Sequence, residues 1–203
     1  MQFYDVARKV VEGIYRLCFR IRIEGEENIP QSGTFVVCAN HKSNLDPPML
    51  GVCLPIRLRY MAKEELFHNR FFGKLIRALG AFPIRRGKSD VGALRAAVKM
   101  LKGGEWVAVF PEGGRSHDGH LRKGKQGAAL IAAMAGVDIL PVGISGEYKP
   151  FRKMTVRFGA PISMQQYAEK KPTAEDLQKI TDEQIMSTIA ALAGVKTYED
   201  RDC

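Results

Sequence analysis

Nowhere in the chain is there an apolar run of the ~20 residues that a helix needs to cross a bilayer. The longest weakly polar stretch runs only from Gly127 to Val137, so nothing is expected to span a membrane. The amino end turns charged at Asp5 with no apolar block before it, which argues against a signal peptide. Cysteine is scarce: Cys18, Cys38, Cys53 and Cys203 lie far apart and form no CxxC pair. Free thiols in a reducing compartment are therefore expected rather than a disulfide framework. The nucleophile elbow G-x-S-x-G is missing, since "GISGE" places glycine directly after Ser145 and glutamate where the pattern needs glycine. Internal repeats, linkers and low-complexity segments are absent as well. Acidic residues are outnumbered 22 to 31, giving +9, and that sign suits an anionic partner. Nucleic acid fits the sign only, because no helix-turn-helix, aromatic RNA platform or zinc pattern accompanies it. "HDGH" (His117, Asp118, His120) has no further ligand nearby, so no metal is expected.

What is present is ordinary globular material, 45% hydrophobic and 26% charged, in a length that suits one good core. Residues 1–18 read as an amphipathic helix. Phe3, Val6, Ala7, Val10, Val11, Ile14, Leu17 and Cys18 fall on one half of the wheel, and Asp5, Arg8, Lys9, Glu12 and Arg16 on the other. Tyr4 and Tyr15 stand at the border. Such a face packs either on the chain's own core or into the headgroup layer of an anionic membrane. Residues 19–203 read as a single α/β domain. "FRIRIEG" alternates with period two like an edge strand; "TFVVCAN", "LRYMA", "GAFPI", "EWVAVF", "VDILPVGI" and the late "KMTVRFG" are further strands. Residues 47–52, 69–79, 89–101 and 125–135 read as intervening helices, with Ser89 and Asp90 as starts for the third. Strands alternating with helices predict a largely parallel, twisted sheet flanked by helices. The carboxyl end is a helix or two, opened by the capping box Thr173-x-x-Asp176 and closed at Gly194.

In such sheets ligands gather beyond the carboxyl ends of the strands. Four clusters sit there: "VVCANH" ends in His41, "LRYMAKEEL" carries Lys63, "GAFPIRR" carries Arg86, and "EWVAVFPEGGRS" carries Glu112, Gly113 and Arg115. Asp46 follows His41 by five positions and precedes Pro47, which favours a first helical position, so Asp46 reads as a helix N-cap able to fold back on the His41 ring. A carboxylate on Nδ1–H fixes the tautomer and leaves Nε2 free to take a proton. Ser43 between them reads as a loop residue. Lys63, Arg86, Arg115 and Lys125 suit a phosphate, and the glycines of "FPEGGRS" let backbone N–H groups approach a ligand. Glu112 suits a hydroxyl or an arginine. The picture is a phosphate held by cations with a neighbouring hydroxyl presented to His41.

With these residues on the page, the sequence resembles the glycerolipid acyltransferase superfamily and, within it, the lysophosphatidic acid acyltransferases (1-acyl-sn-glycerol-3-phosphate acyltransferases). Four blocks agree in order: Asn40, His41 and Asp46; Gly80, Ile84 and Arg86; Phe110 to Ser116; and Leu140-Pro141-Val142. The resemblance implies acyl transfer from a thioester to the free sn-2 hydroxyl of a lysophospholipid, without a covalent acyl-enzyme and without a cofactor. His41 is then the base and Asp46 its orienter. Arg86 and Arg115 hold the phosphate, Lys63 is a further contact, and Glu112 positions the glycerol. The donor is acyl-CoA or acyl carrier protein, and glycerol 3-phosphate or another lysophospholipid is the alternative acceptor. A lipid ester or thioester hydrolase is the rival reading. The expected setting is the cytoplasmic face of a membrane, held peripherally through the amino-terminal helix. Departures from the pattern are Gly114 where threonine is common, Gly124 where an aromatic is common, and Arg85 where an acid is frequent.

Overall fold

The structure, a computed structural model, describes residues 3–84, 91–116, 118–167 and 171–198. Its frame is a seven-stranded sheet in the order β1-β7-β6-β2-β5-β3-β4. The strands are β1 (Arg20–Glu24), β2 (Phe35–Ala39), β3 (Leu58–Lys63), β4 (Ala81–Ile84), β5 (Trp106–Val109), β6 (Asp138–Gly146) and β7 (Lys153–Phe158). Every pairing is parallel except β6 with β7. The central strands β2, β5 and β6 are covered on both faces and read as unbroken apolar runs, as buried parallel strands do. "FRIRIEG" is indeed an edge strand, and so is β4, where Pro83 is tolerated for the same reason.

Helices α1 (Phe3–Cys18), α2 (Asp46–Cys53), α3 (Arg70–Ala78), α4 (Val91–Lys102) and α5 (Gly127–Ala135) follow, then α6 (Ala174–Ile180) and α7 (Ser187–Ala193). Ser89 and Asp90, the expected start of α4, lie outside the described residues. Connections between parallel strands are right-handed, so α2 and α3, which carry the chain one way across the sheet, lie on one face. The helices α4 and α5 carry it back on the other. The two cores agree: Met49, Leu50 and Leu54 of the α2 region pack with Val37, Tyr60 and Leu140, while Ala97, Leu101, Ala128 and Ile131 pack with Val36, Val107 and Ile139. The α6–α7 segment joins the second core, with a π-helical turn over Thr181–Met186 between the two helices. Its capping box is present as expected, and Gly194 closes it at φ 67°. Cys18, Cys38 and Cys53 are free thiols.

The seating of α1 differs from its helical wheel. Tyr4 and Tyr15 are buried and Val11 is half-buried, while Val6, Val10, Ile14 and Leu17 are 47%, 55%, 54% and 75% exposed. Arg8, which the wheel places on the polar side, lies on the docked side instead. Its guanidinium donates to the carbonyls of Gly51 (3.0 Å) and Leu54 (2.7 Å) at the carboxyl end of α2. The physical reason is that end's orphan carbonyls and negative dipole, which a cation satisfies better than a valine does. The Tyr15 hydroxyl donates to Leu45 O (3.1 Å), and Arg57 covers the Tyr4 ring at 4.6 Å. The aliphatic stripe is left facing outward.

Candidate active site

Because β2, β5 and β3 are parallel neighbours, their carboxyl ends share one rim, with β4 beyond. His41 leaves β2, Glu112 follows β5, Lys63 closes β3, and β4 ends at Ile84. Arg86 lies outside the described residues, two positions past that strand end.

The His41 ring is buried, 8% exposed, and stacks on Phe110 with centroids 4.2 Å apart at 22°. Its Nδ1 lies 2.8 Å from Asp46 Oδ2. An ionised carboxylate only accepts, so Nδ1 carries the proton and Nε2 presents its lone pair. Asp46 is fully buried and richly bound. Its Oδ2 also accepts from the N–H groups of Lys42 (2.7 Å) and Ser43 (2.7 Å), and its Oδ1 accepts from the Tyr148 hydroxyl (2.8 Å). The expected N-cap role is corrected here. The cap position is Leu45, and Asp46 is the first residue of α2, its side chain turned back into the loop instead of onto the helix N–H groups. Two prolines in the first turn leave few donors there to cap. Ser43 acts within the loop, its Oγ accepting from Leu45 N at 3.2 Å.

Glu112 is 2% exposed, and both its oxygens are taken by backbone: Oε1 by His41 N–H (2.7 Å) and Oε2 by Arg122 N–H (2.9 Å). It therefore ties the β2 end to the loop after β5, whereas the sequence reading put it on the acceptor. Burial raises its pKa above the ordinary 4.5, opposed by those two N–H groups. Ser116 N–H donates to His41 O (2.8 Å), which brings the exposed Arg115 beside the histidine strand. Lys125 N–H donates to Pro111 O (2.9 Å), and its side chain lies across Gly113, where a Cβ would meet Lys125 Cε at 2.7 Å. Gly113 also has φ 63°, so glycine is required there twice over. Lys63 and Lys125 are both exposed. In "HDGH", His117 lies outside the described residues, and Asp118 closes its own turn by accepting from Ser116 Oγ (2.8 Å) and His120 N–H (3.2 Å).

Three contributors had no role in the sequence reading, although Asn40 and Phe110 stand in its matched blocks. Asn40 exchanges two hydrogen bonds with the backbone of Ile144, at 2.9 and 2.7 Å, splicing the end of β2 to β6. Phe110 sets the plane of the imidazole. Tyr148 holds the second oxygen of Asp46; burial and then the Asp46 charge push its pKa up, so the phenol stays a donor. Tyr15, also raised by burial and by Asp46, does likewise nearby. Only the position of Tyr148, two residues past the end of β6, would have hinted at it.

The chain is similar to known proteins in both sequence and fold. The sequence profile described as Acyltransferase matches residues 20–145. The 1-acyl-sn-glycerol-3-phosphate acyltransferase of Bacillus subtilis (strain 168) is 32% identical over 186 residues, which cover 88% of this chain and 92% of that one. The enzyme of the same name from Streptococcus pneumoniae (strain ATCC BAA-255 / R6) is 34% identical over 167 residues, 78% of this chain and 58% of the longer relative. Among solved structures, the 1-acyl-sn-glycerophosphate (LPA) acyltransferase PlsC from Thermotoga maritima superposes with a TM-score of 0.74 at 29% identity, covering 93% of this chain and 79% of that one.

Proposed function

The chain belongs to the acyltransferase family, and from that premise we propose that it moves an acyl group from a thioester to the sn-2 hydroxyl of 1-acylglycerol 3-phosphate, forming phosphatidic acid. The observation that carries the reading is the His41–Asp46 pair, with Nδ1–H committed to the carboxylate and Nε2 left to take a proton. In this reaction the acceptor hydroxyl attacks the thioester carbonyl as Nε2 removes its proton. The imidazolium is stabilised by Asp46, and the collapse of the tetrahedral intermediate expels the thiolate, which takes that proton. A positioned base contributes ~10²–10⁴-fold to such a step.

The acceptor phosphate falls to Arg86 and Arg115, with Lys63 and Lys125 as further cations and Gly113 allowing close approach of the loop. Glu112 acts at one remove, through the backbone of His41. The oxyanion donor belongs to the Gly113–Gly114 loop and within it to Gly114, since Gly113 N–H already donates to Phe110 O (3.0 Å). The N–H groups of Lys42, Ser43, Leu45 and Asp46 in the other loop already have acceptors. No cofactor enters the chemistry, and the thioester is coenzyme A or acyl carrier protein.

Attachment is peripheral, on the anionic cytoplasmic face of a membrane, through the outward stripe Val6, Val10, Ile14 and Leu17 of α1. No helix among the described residues is long and apolar enough to cross a bilayer.

The test crosses acyl-CoA and acyl carrier protein thioesters with lysophosphatidate, glycerol 3-phosphate and a choline lysophospholipid, using wild type and His41→Ala. Transfer to lysophosphatidate that the variant loses by ~10²–10⁴-fold, with an unchanged circular dichroism spectrum, is expected. Thioester hydrolysis indifferent to acceptor, or a folded variant with near-normal turnover, refutes the assignment.

A further inference from the structure

Away from the site, α3 is the element whose sequence and setting agree least. It reads RFFGKLIRA and buries one residue, Gly73, set so close to Phe67 that a Cβ would come within 2.8 Å of its carbonyl oxygen. Phe71 is 89% exposed, the most exposed large hydrophobic side chain among the described residues, and Phe72 and Leu75 follow at 46% and 44%. Leaving an aromatic side chain in water forgoes about 1.5–3 kcal/mol of burial. Yet the helix is held in shape: Asn69 Oδ1 accepts from Phe71 N–H (3.1 Å) and Phe72 N–H (2.9 Å). The apolar side chains are presented by a formed, capped helix.

Charge says what they are presented to. α3 contains Arg70, Lys74 and Arg77 and no acidic residue. Aromatic residues among cations on a short amphipathic helix fit an anionic lipid surface, where rings enter the acyl boundary and cations meet headgroups. Position agrees with charge. α3 shares a sheet face with α2, and α1, with its exposed stripe, lies along α2. The connection that carries α3 leaves β3 after Lys63 through a 3-10 turn over Glu64–Phe67 and returns to β4, the strand that leads in sequence to Arg86.

We infer that α3 is a second membrane-inserting element, seating Phe71 and Leu75 in an anionic bilayer. It holds the chain with Lys63, exposed at the end of β3, turned toward the headgroup layer. This rests on the reading of the protein as a peripheral lipid enzyme attached through α1, and adds an attachment point which that reading does not require.

The test uses the full chain and its single tryptophan, Trp106, which is buried with its Nε1–H on Gly33 O and gives a constant background. Phe71→Trp and, separately, Val10→Trp are titrated with vesicles of phosphatidylglycerol or phosphatidylcholine, and with acidic acyl carrier protein. A blue shift of both reporters on phosphatidylglycerol, with quenching by brominated acyl chains, is expected. A shift at Val10→Trp alone overturns the inference and leaves the α1 attachment standing; silence at both overturns the two together. A shift of Phe71→Trp on the carrier protein but not on vesicles assigns α3 to a protein partner and also overturns it. Independently, the double variant Phe71→Ser, Leu75→Ser is expected to lower flotation on phosphatidylglycerol vesicles about tenfold. Its turnover on detergent-dispersed lysophosphatidate should be unchanged. Equal flotation of the double variant and wild type counts against the inference.

Discussion

The residue that most repays a substitution is Tyr148, because it touches the carboxylate of the dyad and not its imidazole. Removing its hydroxyl withdraws one of four donors from Asp46 and leaves Oδ1 bare in a buried site. The carboxylate then pulls harder on the His41 Nδ1–H and is free to turn. Tyr148→Phe should therefore lower kcat with little change in KM and alter the pH–rate profile. A profile identical to wild type would reduce Tyr148 to packing. Glu112 gives a prediction about stability. With its carboxyl pKa raised by burial above 4.5, the folded chain holds a proton in the window just above that value that the unfolded chain has released. Its ionisation thus opposes folding as pH rises through the window. Relative to Glu112→Gln, wild type should lose urea-midpoint advantage between pH 4.5 and neutrality; a gap constant with pH would contradict the shift. At this scale the sequence was only partly informative. His41 and Asp46 are five apart and legible by spacing. Tyr148 lies 102 residues from Asp46, and no local pattern encodes such a contact.

Among the elements, the strands and helices of the alternating core were readable because their apolar runs are local and their ends carry turn residues. The π-helical turn was not readable, since its cause is packing. It fits against Gly124, where a Cβ would meet Met186 Cγ at 2.6 Å and Thr181 Cγ2 at 2.7 Å. That contact also accounts for a glycine where the family resemblance led one to expect an aromatic: the carboxyl-terminal helices occupy the space. Gly124→Val should cost about 1–3 kcal/mol by overpacking, read as a fall in thermal midpoint. An unaltered midpoint would mean that α6–α7 docks loosely. The docked side of α1 escaped periodicity for a related reason. A wheel ranks residues by apolarity, while Arg8 is held by two carbonyls of another helix.

For the whole molecule, the proposed attachment to anionic vesicles would be a joint electrostatic and hydrophobic event, drawing on the +9 charge and the outward apolar stripes. Raising salt from about 0.1 M to about 0.5 M roughly halves the Debye length. Flotation on phosphatidylglycerol vesicles should then fall markedly while turnover on detergent-dispersed acceptor changes little. Flotation that salt leaves untouched would show that apolar insertion alone suffices.

The pairing of β1 with β7 alone has a consequence for how the chain is made. A ribosome delivers residues 20–24 early, but the strand they dock on, residues 153–158, emerges after more than half the polypeptide has been synthesised. The β1 end of α1 therefore gains its sheet anchor late. A nascent chain carries α1 and β1 incompletely moored through most of its synthesis, until β7 is made and β1 can pair with it as the edge of the sheet.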